Sequence, residues 1–193
     1  MTPAVRRHDP HRRSRIVDAC LDVIAAHGVA GTSHRRVAAA ADVPLGSMTY
    51  HFDGLDDLLL VAFARFAEQQ SARFDAHLTA GTPVQDAVVA LIRDNLTDQR
   101  DLILTQELYT LAAREPSFRV LTNAWMARSR ATLERHLDPS TARMLDAVIE
   151  GVTLHRALDT EEPDPGVVEE AVRRILAADL VPPAPAAGPA PRA

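Results

Sequence analysis

The spacing of apolar side chains constrains this chain more than any other feature. Ile16, Cys20, Val23, Ile24 and His27 recur at intervals of three and four residues. So do Leu58, Leu59, Ala62, Phe63, Phe66 and Phe74, and again Val84, Val88, Leu91, Ile92 and Leu96. That period lines one face of an α-helix and predicts burial of that face against neighbouring helices. No segment reads convincingly as a strand. Ala, Leu and Arg outweigh β-branched and aromatic residues, a mixture that favours helix. The fold class expected is all-α.

Glycine and proline divide the pattern. A first helix is expected over residues 12–27, closed by Gly28. Two short helices follow over 33–41 and 44–52, the first capped by Thr32 or Ser33. A long helix over 55–78 stops before Gly81. Pro83 is expected as the first residue of the next helix. Further helices fall over 101–114 and 116–137. Asp138-Pro139 and Asp164-Pro165 each read as an N-cap followed by a first-turn proline, opening helices over 138–159 and 165–180. Residues 1–11 are expected to be a flexible arm and residues 181–193, nearly all Pro and Ala, a disordered tail. Between them, 12–54 form one unit and 55–180 a second, larger one.

Charge is distributed unevenly between these units. The formal net charge is −5, yet residues 1–52 hold seven Arg against four Asp, and residues 53–193 fourteen Arg against twenty-two acids. A basic head on an acidic body suits a protein that meets DNA with one end. The alternative is that Arg6 to Arg15 alone produce the asymmetry.

Residues 32–52 read TSHRRVAAAADVPLGSMTYHF: two short helices around a tight turn at Ala41, Asp42 and Val43. Neither can bury its face alone, so Val37, Ala38 and Ala41 must pack on Val43, Met48 and the first helix. This is the construction of a helix-turn-helix, whose second helix enters the major groove.

In order and without gaps, Gly28, Thr32, Ser33, Arg35, Val37, Ala38, Ala41, Val43, Gly46, Ser47, Tyr50, His51 and Phe52, continuing through 53–59, resemble the signature of the tetracycline-repressor (TetR) family. The resemblance covers roughly residues 12–60. It implies an all-helical homodimer: an N-terminal three-helix DNA-binding domain joined by a long helix to a larger C-terminal ligand-binding and dimerisation domain. It also implies that Ser33 and Arg35 meet phosphate or a base edge, that Leu45, Ser47 and Thr49 face bases, and that Tyr50 and His51 touch backbone phosphate. Gly46 would let the backbone approach DNA closely. Two positions depart from the family pattern. Asp42 stands where Gly is usual, and Asp tolerates the left-handed conformation such a turn needs. Leu55 replaces a Lys that would add a phosphate contact.

Several residues keep two readings. Tyr50 and His51 either meet phosphate or fold onto the first helix. Arg6, Arg7, Arg12, Arg13 and Arg15 form either a minor-groove arm or a solvated basic tail. In the body, Phe63, Phe66, Tyr109, Trp125 and Met126 line a ligand cavity if the family's pattern holds, and are ordinary core otherwise. Gln106, Glu107, Asn123 and His155 either orient a ligand or are satisfied elsewhere. Val148, Ile149 and Val152, with Val168, Ala171, Val172 and Ile175, are expected at a dimer interface.

The function expected is a ligand-responsive, sequence-specific DNA-binding regulator: a repressor released from a pseudo-palindromic double-stranded operator by a small molecule. The alternative is a helix-turn-helix architectural protein without an effector. Enzyme classes find little support. The chain has no lysine, no phosphate-cradling glycine loop, no nucleophile elbow and no metal-ligand cluster beyond the isolated His8 and His11. No cofactor or metal is expected. With one cysteine, no apolar signal core and no run of eighteen apolar residues, the expected location is the cytoplasm, with no membrane partner.

Overall fold

The computed structural model describes residues 9–79, 81–161 and 164–178. Residues 1–8 of the expected arm and the tail at 181–193 lie outside them. The described residues form nine helices and no strand: α1 (Arg12–His27), α2 (His34–Ala40), α3 (Gly46–His51), α4 (Leu55–Thr79), α5 (Val84–Asn95), α6 (Gln99–Ala112), α7 (Pro116–Leu133), α8 (Pro139–Leu158) and α9 (Pro165–Ala178). No helix among them is long and apolar enough to cross a membrane.

Local chemistry sets the ends. Asp138 accepts hydrogen bonds from the backbone N–H groups of Ser140 and Thr141, so Asp138-Pro139 opens α8 as its sequence predicts. Two expected starts are corrected. Pro83 has φ −52° and ψ 136° and is the N-cap of α5 rather than its first helical residue. α6 begins at Gln99, not residue 101, because Asp98 accepts from the N–H groups of Arg100 and Asp101. α7 ends at Leu133, short of Leu137, where Glu134 caps it. Asp9, placed in the arm by sequence, accepts from the His11 N–H at 3.0 Å and from Arg15 at 2.6 Å, so residues 9–11 form a turn leading into α1.

Two apolar cores divide the molecule along α4. The first joins Ile16, Val17, Cys20 and Ile24 of α1 with Val37, Met48 and Phe52. Leu58, Ala62, Phe63 and Phe66 of α4, Leu104 and Leu108 of α6, and Phe118 complete it. Burial pushes the Cys20 thiol up to about 12, which leaves it an inert core group. The second core gathers Phe74 and Leu78 at the far end of α4 with Val88, Leu91, Ile92, Leu133, Leu145, Ile149, Val168 and Val172. The head therefore shares a core with half of α4 and with α6.

The second core corrects part of the expected dimer surface. Ile149, Val168 and Val172 are 6%, 6% and 0% exposed and belong to the chain's own interior, with Val152 and Ile175 packed against them. Val148 and Ala171 remain half-buried at the edge. The outer face of α8 carries different residues: Met144, Ala147, Gly151, Leu154 and Leu158, spaced by three and four. Apolar positions occur on both faces of α8, and its period alone cannot say which faces inward.

Candidate nucleic-acid interface

The exposed surface of α2 and α3 is built from a cap, a left-handed turn and a short helix. Ser33, extended at φ −151°, caps α2 by accepting from the Arg36 N–H at 3.3 Å. α2 stops at Ala40, and Asp42 adopts φ 51°. Asp42 is the one non-glycine residue with positive φ among the described residues. It supplies the turn where glycine is usual. Pro44 and Leu45 then form a tight first turn, with Ser47 N–H bonding Pro44 O at 2.8 Å and Met48 N–H bonding Leu45 O at 3.0 Å. The regular helix α3 begins at Gly46 rather than Pro44.

Met48 and Phe52 anchor α3 in the core. Its other face is open: Leu45 is 55% and Tyr50 81% exposed, and Gly46 and Thr49 are exposed beside them. A Cβ on Gly46 would meet nothing within 4 Å. Ser33 and Arg35 are exposed on the adjoining start of α2. Ser47 is corrected: at 8% exposure it points inward beside Met48 and cannot face a base. Six residues on a helix cannot all share one side, and packing of the head, rather than the helical period alone, buries position 47. His51 is half-buried, its ring set edge-on to Tyr50 at 4.8 Å.

Arg13 is a residue the sequence left ambiguous. Its guanidinium lies 5.1 Å from the centre of the Phe52 ring, which fixes a cation from α1 beside the end of α3. Three further contacts hold the head to the body. Arg65 of α4 donates to Ser14 O and Asp18, Arg100 of α6 donates to Asp22 at 2.7 Å, and Glu107 of α6 accepts from the Val29 N–H at 2.9 Å.

Residues 16–62, which hold this surface, match the model for bacterial regulatory proteins of the tetR family, and residues 82–178 match the tetracyclin repressor-like C-terminal domain. The chain belongs to the TetR family. It is a DNA-binding transcriptional regulator. Among solved structures, SCO7518 of Streptomyces coelicolor A3(2), described as a transcriptional regulator, is 55% identical over 86% of this chain and 98% of its own, with a TM-score of 0.80. The multidrug binding protein EbrR, complexed with ethidium, is 40% identical over 87% of this chain and 99% of its own, with a TM-score of 0.74. The repressor KstR of Mycolicibacterium smegmatis is 35% identical over 98 residues, so this TetR chain spans about half of KstR's length.

The body of this TetR protein contains a small cavity of about 50 Å³, walled by α4, α5, α6, α7 and α8. Of the nine residues considered there, Tyr109 and Trp125 line it, and Glu107 meets the Val29 N–H instead. Phe63 and Phe66 are wholly buried in the first core, edge-on to Phe118 and Trp125 at 6.1 and 5.8 Å. Asn123 is exposed, Gln106 and Met126 are half-buried away from the cavity, and His155 borders a separate groove at the end of α8. Aromatic residues recur at core positions as well as cavity walls, so type and period did not separate them.

The cavity is instead notably acidic. Asp94, Asp98, Asp101, Asp146 and Glu150 line it, with Arg73 as the lining cation. Most of these carboxylates are engaged: Asp101 with Arg73 and Gln70, Asp146 with Arg130, Asp94 with His77, and Asp98 as the α6 cap. Glu150 differs, because among the described residues its hydrogen-bond donor is the Tyr109 hydroxyl, at 2.6 Å. Burial pushes the Glu150 carboxyl up, the Tyr109 bond opposes that, and the charge of Asp146 adds to it. Burial and then the Glu150 charge likewise push the Tyr109 hydroxyl up. One signal for this site was legible. Asp146, Glu150 and Thr153 stand at helical spacing in the otherwise apolar stretch 144–154 of α8.

Proposed function

We propose that this TetR protein is a homodimeric repressor that releases its operator when a flat aromatic cation enters the body cavity. The observation that carries the DNA-binding half is the open face of α3. Leu45 and Tyr50 are large, apolar and more than half exposed on a helix whose other side is anchored in the core. With Gly46 and Thr49 they would enter the major groove, while Ser33, Arg35 and Arg13 meet the flanking phosphates. A two-fold dimer then reads half-sites about 34–36 Å, or a multiple of that, apart. The apolar outer face of α8, with Val167 of α9, is the surface offered for pairing.

The chemistry of the cavity supports the effector half. Glu150 is a half-buried carboxylate that no cation among the described residues pairs with, and Tyr109 and Trp125 stand beside it with ring centres 6.1 Å apart. A delocalised cation would gain from both the carboxylate and the ring faces. EbrR has been crystallised with ethidium, malachite green and proflavin, all of that type. A cavity of about 50 Å³ holds a few waters and no dye. Entry must therefore spread the helices that wall it, α4 and α6 included, and both of these grip the head. That is how occupancy would disfavour the DNA-bound spacing.

Two measurements test this reading. Fluorescence anisotropy should show tight, salt-sensitive binding to the region upstream of the protein's own gene and weak binding to a scrambled duplex. Trp125, the single tryptophan, should be quenched saturably by malachite green. Equal, weak binding to both duplexes would favour the architectural alternative, and an unquenched Trp125 would remove the cationic effector.

A further inference from the structure

Glu107 sits on α6 and reaches across to the connection between α1 and α2. One carboxylate oxygen accepts from the Val29 N–H at 2.9 Å. The other lies against Gly28, where an added Cβ would come within 2.9 Å of it. Gly28 has φ 68° and ψ 170°, a conformation that in practice belongs to glycine. The turn thus presents a bare backbone face, and the carboxylate lies flush on it. The same turn sets the course of α2: Thr32 Oγ1 donates to Gly28 O at 2.8 Å, and Ser33 caps the helix directly afterwards.

Among the described residues, the ties from Arg65 and Arg100 end elsewhere on the head. Arg65 and Arg100 grip α1, through Ser14 with Asp18 and through Asp22. Glu107 grips the segment from which the helix-turn-helix departs. Among the described residues no cation pairs with this carboxylate, so its hydrogen bond is directed at the Val29 amide. A carboxylate-to-amide bond is shorter-ranged and more directional than apolar packing, and it fixes an angle as well as a distance.

We propose that Glu107 is a positioning residue that sets the orientation of α2 and α3 on the body, and so the operator specificity of the protein, without touching DNA. The proposal rests on the regulator reading above and deepens it. Tyr109 lies two residues along the same helix and donates to Glu150 in the cavity. A cation that binds Glu150 competes with that hydroxyl for the carboxylate's charge, and α6 carries the disturbance to Glu107 and Val29.

The experiment compares Glu107→Ala with Glu107→Gln in the full-length protein. A duplex selected from random sequence by the wild type is set against a scrambled control. Glu107→Ala should weaken binding to the selected duplex about tenfold or more, the size expected for a lost charge-assisted bond. Binding to the control and the salt slope should stay unchanged, because no phosphate contact is removed. Glu107→Gln keeps an acceptor oxygen and should recover most of the loss. Hydrogen exchange, read at the Val29 amide, should show lost protection in Glu107→Ala while amides of α8 keep theirs. Wild-type binding of the selected duplex by Glu107→Ala would overturn the proposal, as would equal weakening on both duplexes. If the wild type itself fails to discriminate between duplexes, the regulator reading falls. Val29 exchange then still decides the tether: unchanged protection in Glu107→Ala overturns it, and lost protection supports it. Ethidium, its binding followed by Trp125 quenching, should speed Val29 exchange in the wild type. Bound ethidium with no change there would overturn the link to the cavity.

Discussion

The Tyr109 hydroxyl of α6 donates a 2.6 Å hydrogen bond to Glu150 of α8, inside a cavity where nearly every other carboxylate already has a partner. A carboxylate buried with a phenol as its donor is held at a cost in stability. Sites of ligand recognition commonly carry such a cost.

Replacing Glu150 should make that cost visible. Its carboxyl pKa is raised above the ordinary 4.5, so the folded state holds the proton more tightly than the unfolded state. Its contribution to stability is therefore complete below 4.5 and is lost as pH rises through the folded value. Glu150→Gln, which mimics the protonated form, should melt higher than wild type at pH 8, with the difference closing towards pH 4.5. The same variant should bind malachite green at least about tenfold more weakly, from the lost opposite charge. A melting difference that does not depend on pH would show that Glu150 is not the group responsible.

On the DNA-binding surface, exposure separates the candidates. Tyr50→Ala and Arg35→Ala should each weaken operator binding by about 1–3 kcal/mol, roughly five- to 150-fold, with the dimer intact. Ser47→Ala should leave operator affinity unchanged, because Ser47 is 8% exposed beside the core residue Met48. Anisotropy titrations on one duplex, with light scattering for the oligomer, check all three. A Ser47→Ala loss as large as that of Tyr50→Ala would put the wrong face of α3 on the DNA.

The turn before α2 tolerates no side chain at Gly31. A Cβ there would lie 2.3 Å from the His27 carbonyl oxygen and 2.9 Å from the His27 Cβ, near atoms that α1 holds in place. Gly31→Ala should destabilise the protein by about 1–3 kcal/mol and lower its melting temperature by several degrees. Thermal unfolding followed by circular dichroism measures this directly.

Opposite faces of α8 should respond differently to substitution. Leu154, 42% exposed, lies on the outer apolar face, and Leu154→Glu should shift the protein to monomer without lowering the stability of the subunit. Ile149, 6% exposed, lies in the core, and Ile149→Ala should cost about 2–5 kcal/mol of subunit stability. Light scattering across a dilution series, paired with denaturant melts, distinguishes the two. A dimer unaffected by Leu154→Glu would place the interface elsewhere.

Much of the architecture was legible because local chemistry fixed it. Asp138-Pro139 starts a helix wherever it stands before an apolar stripe, and Ser33 caps α2 by bonding within its own turn. Asp42 could be read as a residue able to hold a left-handed turn, and it holds one at φ 51°. The family pattern over residues 28–52 was equally local, a run of neighbours in fixed order. Where two starting signals competed, the local reading slipped, as at Asp98, which captures the start of α6 two residues ahead of the expected position.

What the sequence by itself determined is therefore the set of helices, their caps and the helix-turn-helix. Each of these depends on contacts between residues close along the chain. The tertiary structure alone decided which faces of those helices point inward. Ile149 and Leu154 are both apolar on one helix, and only the packing of α5, α6, α7 and α9 against α8 buries the first and leaves the second outside. The same holds for the cavity. Tyr109 and Glu150 are 41 residues apart, and Glu107 meets Val29 across 78. No periodicity encodes such pairings. They arise because burying two apolar cores along α4 brings α6 against the head on one side and against α8 on the other.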